Sequence, residues 1–242
     1  MSEKMKYKNI IIIGTSHIAP ESLKAVTRTI ELERPDIIAV ELDKKRLWGL
    51  LAGGIGKTKI SLKRIKKVGI KGYVFGLLGS YVQHRLGKYV GVSPGSDMLA
   101  AVKLAQNYGM QIALIDQDID ITLKQFSCSL SSKEKWNFLV DVIKSLFFRK
   151  REMKKYGLEE IDLSKVPPKR LIKKLIESVK ERYPNVYRVL ISDRNLYMAR
   201  KLYELMELNP TKKIVGVVGA GHEDELISLI KKIEAHQVEF LV

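Results

Sequence analysis

Hydrophobic positions along this chain fall into two periods. Four short runs, at 9–13, 37–40, 111–115 and 214–218, are apolar at nearly every position and rich in β-branched residues. Such runs suit strands buried on both faces, as in a parallel sheet. Between them the spacing becomes helical. Pro20 opens a helix on Leu23, Val26 and Ile30 that stops before Pro35. Ser96 caps another through Met98, Leu99, Val102 and Ala105, and Gly109 closes it. The alternation predicts an α/β fold: a central, mainly parallel sheet of about four core strands flanked by helices.

Two stretches interrupt that frame, so the chain reads as one α/β domain over 1–242 with two insertions. The first, 43–92, is basic and rich in glycine. The second, 120–212, reads as helices. It holds a capping-box signature, Ser131-Ser-Lys-Glu134, a break at Pro167-Pro168, and helical patterns at 169–182 and 186–207.

In an open parallel sheet, ligands bind beyond the carboxyl ends of the strands. The first run leads through Gly14-Thr-Ser to His17, and the fourth through Gly219-Ala-Gly to His222, in the same G-x-x-H spelling. The second leads to Glu41 and Asp43, the third to Asp116 and Asp118. Two imidazoles and several carboxylates converging on one edge could bind a divalent cation or act as general acid and base. Strand ends are also where loops begin, so Asp116 and Asp118 have a purely local reading as turn or helix-cap residues. His84 and His236 read as surface residues. Other motifs fail: Asp224 stands where a dinucleotide fingerprint needs its third glycine, and H-E-x-x-H, G-x-S-x-G and a Walker loop are absent.

"GTSHIAPESLKAVTRTIELERPDIIAVELD" resembles the opening block of the TraB/PrgY family, the pheromone-shutdown-related TraB-domain proteins. "QHRLGKYVGVSPGSDMLAAVKLAQNYGMQIALIDQDIDITLKQ" resembles its middle block, and "LISDRNLYMARKL" and "VGVVGAGH" its last two. The wider grouping includes the Tiki and GumN proteins. The resemblance implies a metal-dependent hydrolase, a peptidase of the Tiki type using manganese or cobalt, with His17, Glu41 and His222 as ligands. It adds Asp97 from the block Gly95-Ser-Asp97-Met98, and Asp193 and Arg194 from Asp193-Arg194-Asn195-Leu-Tyr-Met198, as residues completing the shell, acting as base or steadying an oxyanion. Arg194 has a second reading as the structural partner of Asp193 or Asp116. The chain departs from the family pattern where Asp97 and Asp193 replace glutamates, Asn195 an aspartate and Gln117 an arginine. The resemblance leaves a second function open, a non-catalytic regulator that binds or sequesters a peptide signal.

Charge and composition bound the partners. From Asp43 to Val92 twelve Lys or Arg face one acid, so +11 of the net +16 lies in that segment. Basic residues followed by "YVFGLLGSYV" suit an anionic membrane surface, a lid or a homo-oligomer contact. Nucleic acid is disfavoured, since no nucleic-acid motif accompanies the charge. One cysteine, Cys128, excludes a disulfide framework or thiolate cluster. The polar N-terminus lacks a signal sequence's apolar core, and no run reaches the roughly 18 apolar residues of a membrane span. Unlike the many TraB-domain proteins with a membrane-spanning C-terminal region, this chain reaches Val242 without one. The reading is a cytoplasmic protein, peripheral at the membrane if 43–92 binds lipid, acting on a peptide or small molecule.

Overall fold

The sheet is built on four parallel strands, β2 (Ile10–Thr15), β3 (Ile37–Val40), β4 (Gln111–Leu114) and β5 (Ile214–Gly219), in the spatial order β2-β5-β3-β4. A fifth, β1 (Met5–Tyr7), pairs antiparallel with the outer edge of β2. This architecture comes from a computed structural model describing residues 5–15, 20–52, 65–70, 73, 74, 76, 77, 95–147 and 169–239. The four core strands match the sequence pattern to within two residues. The pattern missed β1, which is three residues long and only half-buried. It is held as a hairpin by a two-residue turn in which Lys8 takes φ 49°.

Helices α1 (Pro20–Glu33), α2 (Lys44–Leu51), α3 (Ser96–Asn107), α4 (Ile119–Ser129), α5 (Ser132–Phe147), α6 (Lys169–Arg182), α7 (Pro184–Tyr187), α8 (Asp193–Leu208) and α9 (Glu223–Glu239) complete the described elements, with a π-helical turn at Arg188–Ser192. The twofold alternation of strand side chains divides the core. Ile11, Ile13, Ile38, Val40, Val215 and Val217 pack on Val26 and Ile30 of α1 and Met98 and Val102 of α3. Ile10, Ile12, Ile37, Ile214 and Val218 pack on Met198 and Leu202 of α8 and Leu226 and Ile230 of α9. Helices therefore cover both faces, which is why the strand runs are apolar throughout. Each such fully buried isoleucine stabilises the fold by roughly 1.5–3 kcal/mol.

Two local expectations are refined. Ser96 is the first helical residue of α3 rather than its cap; Gly95, at φ 78°, occupies the cap position, and a Cβ there would press on Leu50. The helix expected at 186–207 starts at Pro184 and contains the π turn, so α7, the turn and α8 run on without leaving helical backbone angles. The break at Pro167-Pro168, His84 and most of the basic insertion lie outside the described residues.

The capping box forms as expected, and it does more than cap α5. Ser131 Oγ accepts from Glu134 N at 3.2 Å, and Glu134 Oε2 accepts from Ser131 N at 2.9 Å. The same carboxylate takes Asn185 N at 2.7 Å and Val186 N at 3.3 Å, so it also receives the first amides of α7. Burial alone would raise the Glu134 carboxyl. Hydrogen bonds from Asn185 and Ser131 outweigh that and hold it down to about 2, against an ordinary 4.5. A depressed folded-state value stabilises fully above the unfolded value, and the contribution is lost as pH falls from 4.5 toward about 2. Glu134→Gln is expected to lower stability by about 1–3 kcal/mol at pH 7. Urea unfolding of both proteins checks this; the gap between them should narrow in acid, and a gap constant with pH contradicts the assignment.

Candidate active site

The topology gathers residues far apart in sequence. Because β5 lies between β2 and β3, the ends of β5, β3 and β4 are successive neighbours. Glu41 follows β3, Asp116 follows β4 by two residues, and His222 precedes the first turn of α9 beyond β5. Their side chains meet around one guanidinium, that of Arg194 in the first turn of α8. Arg194 Nη2 donates to Glu41 Oε1, and to Asp116 Oδ2 at 2.6 Å. Nε donates to Asp116 Oδ1 at 3.1 Å. Nη1 donates to the carbonyl of Leu190 at 3.1 Å and lies 3.3 Å from His222 Nε2. A guanidinium has five N–H groups, and all five have acceptors here. Glu41 and Asp116 are almost fully buried, and the Arg194 side chain is 15% exposed. Burial alone would lower the Arg194 pKa; attraction from Glu41 and Asp116 outweighs it and moves it above the usual arginine value.

The π turn sets this up. Asp193 N donates to Arg188 O, five residues back. Arg194 follows directly, and its side chain bonds the Leu190 carbonyl within the turn. Such turns often occur at functional sites, where they redirect the helix face that follows.

His222 is fixed from its other nitrogen. Nδ1 lies 2.5 Å from Asn195 Oδ1, and Asn195 Nδ2 donates to Glu225 Oε2. The donation to Glu225 orients the amide, so its oxygen faces the imidazole. An amide oxygen only accepts, so Nδ1 donates to it, and a guanidinium only donates, so Nε2 accepts from Arg194 Nη1. Nε2 also faces Glu41 Oε1 at 3.5 Å. The second Glu41 oxygen takes Gly219 N at 2.6 Å, fastening the ends of β3 and β5 together.

An outer ring of charge surrounds this centre. Asp43 caps α2, accepting from Lys45 N and Arg46 N, and receives Arg46 Nε at 2.9 Å. Arg46 also reaches Asp116. Lys45 binds Asp118 at 2.7 Å and Asp120 at 2.6 Å, and Lys67 binds Asp120 at 2.8 Å. Burial alone would raise both aspartates; hydrogen bonds from Lys45, joined at Asp120 by Lys67, hold them below the ordinary value. Three cations of the basic insertion thus anchor it to the acids of the strand ends.

The residues expected at the site divide accordingly. Glu41, Arg194 and His222 meet, with Asp116. Arg194 pairs with Asp116, one of the two partners that its structural reading names, and in addition with Glu41. Asp193 is half-buried at the start of α8, and Asp97 is buried in the first turn of α3; neither shares the hydrogen bonds to Arg194. His17 lies outside the described residues; Thr15, two positions earlier, pairs with Gly219. Asp118 caps α4 through Asp120 N at 2.8 Å, its local reading. Gln117 turns to Gln125 at 3.1 Å. His236 is exposed. Sequence reasoning missed Asn195 as the partner of His222, Glu225 behind it, and Arg46. It also missed Glu223, a buried carboxylate so close to Gly14 that a Cβ there would collide with it. Its position directly after His222 was the available signal. A cavity of about 580 Å³ lined by Arg34, Asp36, Tyr108 and Met110 lies at the opposite end of the sheet and takes no part.

The implied metal can be tested against this donor set. Two ligands of one small divalent ion sit roughly 3–3.5 Å apart. Glu41 Oε1 and His222 Nε2, 3.5 Å apart, have that separation. Yet both atoms face the Arg194 guanidinium, and Asp116 is engaged by Arg194 and Arg46. In this arrangement the described residues do not fit a divalent ion, because a positive charge already holds the position it would take.

Comparison with known proteins agrees with the resemblance in the sequence. The TraB/PrgY/gumN family profile matches residues 3–238. The chain belongs to the TraB/PrgY/gumN family. An uncharacterized protein of Methanocaldococcus jannaschii is 33% identical to this TraB-family chain over 231 residues, covering 93% of this chain and 54% of that protein. The TraB domain-containing proteins of Bos taurus and Homo sapiens are 26% and 25% identical, each covering 88% of this chain and 60% of the relative. The chain therefore spans a little over half the length of these relatives. No helix among the described residues is long and apolar enough to cross a membrane.

The hydrogen bonds around His222 make a spectroscopic prediction. Long-range proton–nitrogen NMR should show it as the Nδ1–H tautomer in the wild-type protein. Asn195→Ala should release it toward the Nε2–H form common in solution. An Nε2–H ring in the wild type contradicts the assigned orientation of Asn195.

Proposed function

We propose that this TraB-family chain is a hydrolase, of a peptide or related acyl bond, working at the carboxyl edge of its parallel sheet. The observation that carries this reading is the placement of His222, its Nδ1 2.5 Å from the Asn195 amide oxygen and its Nε2 3.5 Å from the Glu41 carboxylate. Once Arg194 Nη1 gives up its contact with His222 Nε2, that nitrogen takes a proton from water as the oxygen adds to the substrate carbonyl carbon. The bond from that carbon to the leaving nitrogen or oxygen then breaks, and the same proton passes to the leaving atom. While the ring is protonated, Glu41 Oε1 stabilises the imidazolium from 3.5 Å. Arg194 holds Glu41 in place. No step runs through a metal ion, because Arg194 holds the position that such an ion would need.

A second reading has its own support. The centre is largely buried and every Arg194 donor has an internal acceptor, as expected of a structural ion network in a protein that captures a peptide without cleaving it. The membrane reading of 43–92 loses three cations, since Lys45, Arg46 and Lys67 already face acids.

A screen of the purified chain against a peptide and ester library decides between catalysis and capture. Turnover that falls by at least about 100-fold in His222→Ala and in Glu41→Gln is the expected result. Peptide binding without turnover favours the capture reading.

A further inference from the structure

We infer that Arg194 is the resident cation of this site, and that its guanidinium and a divalent metal ion are alternative occupants of the space between Glu41 and His222. The inference concerns the site of the proposed hydrolysis, but it is a statement about ion binding and stands or falls separately.

Three observations carry it. Glu41 Oε1 and His222 Nε2 have the separation and donor chemistry of two ligands to one ion, and both lie against the guanidinium. The guanidinium is anchored on two further sides, by Asp116 and by the Leu190 carbonyl of the π turn, so it is not a loose arm lying across a vacant site. Asn195 turns the His222 lone pair toward this same space, so the imidazole accepts from arginine by the geometry with which it would bind a metal. A divalent ion within about 4 Å of a guanidinium meets strong repulsion in a buried site, so the two do not share it. In charge terms, Arg194 does for Glu41 and Asp116 what an ion would do.

The test titrates manganese(II) into metal-stripped protein by calorimetry, comparing wild type, Arg194→Met and Arg194→Met/Glu41→Gln. The expected result is that Arg194→Met binds manganese roughly tenfold or more tightly than wild type, and that adding Glu41→Gln abolishes the gain. Wild type binding one manganese at least as tightly as Arg194→Met overturns the inference. If Arg194→Met does not fold, thermal melts of the wild type decide. A melting temperature unmoved by millimolar manganese supports the resident arginine, and a saturable rise that His222→Ala removes overturns it. None of these measurements reads hydrolysis, so an inactive protein with this binding pattern would sink the proposed function and leave this inference intact.

Discussion

Two carboxylates, Glu41 and Asp116, end adjacent strands and are almost fully buried. Carboxylates buried side by side repel each other and lack hydration, so the fold places a cation between them. Arg194 is that cation, and much of the local architecture follows from delivering it. It comes from a helix that joins the sheet only after a long excursion in the chain. Removing its guanidinium takes a cation away from Glu41 and leaves Asp116 to Arg46, a defect on the order of 3–5 kcal/mol. The pairing therefore fastens α8 to the ends of β3 and β4, and through His222 to the start of α9. It is also the arrangement that aligns the imidazole with a carboxylate, so the stability of this edge and the placement of His222 depend on the same guanidinium.

The π turn makes the delivery geometrically possible. Met198 and Leu202 must face the sheet, while Arg194 must reach beyond its edge. The extra residue of a π turn shifts the helix face, and its Leu190 carbonyl becomes another acceptor for the guanidinium. On the other side of the centre, α2 docks by charge. Lys45 and Arg46 reach the acids after β3 and β4, and Lys67 reaches Asp120. The concentrated basicity of 43–92 thus has a partly internal explanation: a run of strand-end acids that needs neutralising.

What was legible in the sequence follows from which features are local. The four core strands were visible because burial on both faces leaves uninterrupted apolar runs. The sheet-covering helices were visible because one-sided burial repeats every three or four residues. The capping box of Ser131 and Glu134 was visible for the same reason, its two partners being three residues apart; the second helix that Glu134 caps was not, since Asn185 lies 51 residues away. Residues at the strand ends could be named, because position in an α/β sheet identifies the functional edge. Their pairing could not. The order β2-β5-β3-β4 is a long-range property, and so is the reach of Arg194 to Glu41 across 153 residues. The π turn carries no compositional mark, and a helical periodicity simply runs through it. The short strand β1 was missed because half-buried edge residues leave no apolar run.

Asn195 shows how a departure from a family pattern can be read physically. An aspartate at this position would place a second carboxylate against Glu225, whose oxygen now accepts from the Asn195 amide. An amide resolves that conflict, because it donates to Glu225 with one end and accepts from His222 with the other. The exchange has a chemical consequence. A carboxylate on Nδ1 would favour the charged imidazolium, whereas the neutral amide fixes the tautomer without adding charge. The carboxylate facing His222 in the described contacts is then Glu41, on the Nε2 side, where proton transfer or ion binding would take place. Asparagine at 195 and glutamate at 225 therefore form one unit. They move the negative charge acting on the imidazole from behind the ring to the face where chemistry is possible.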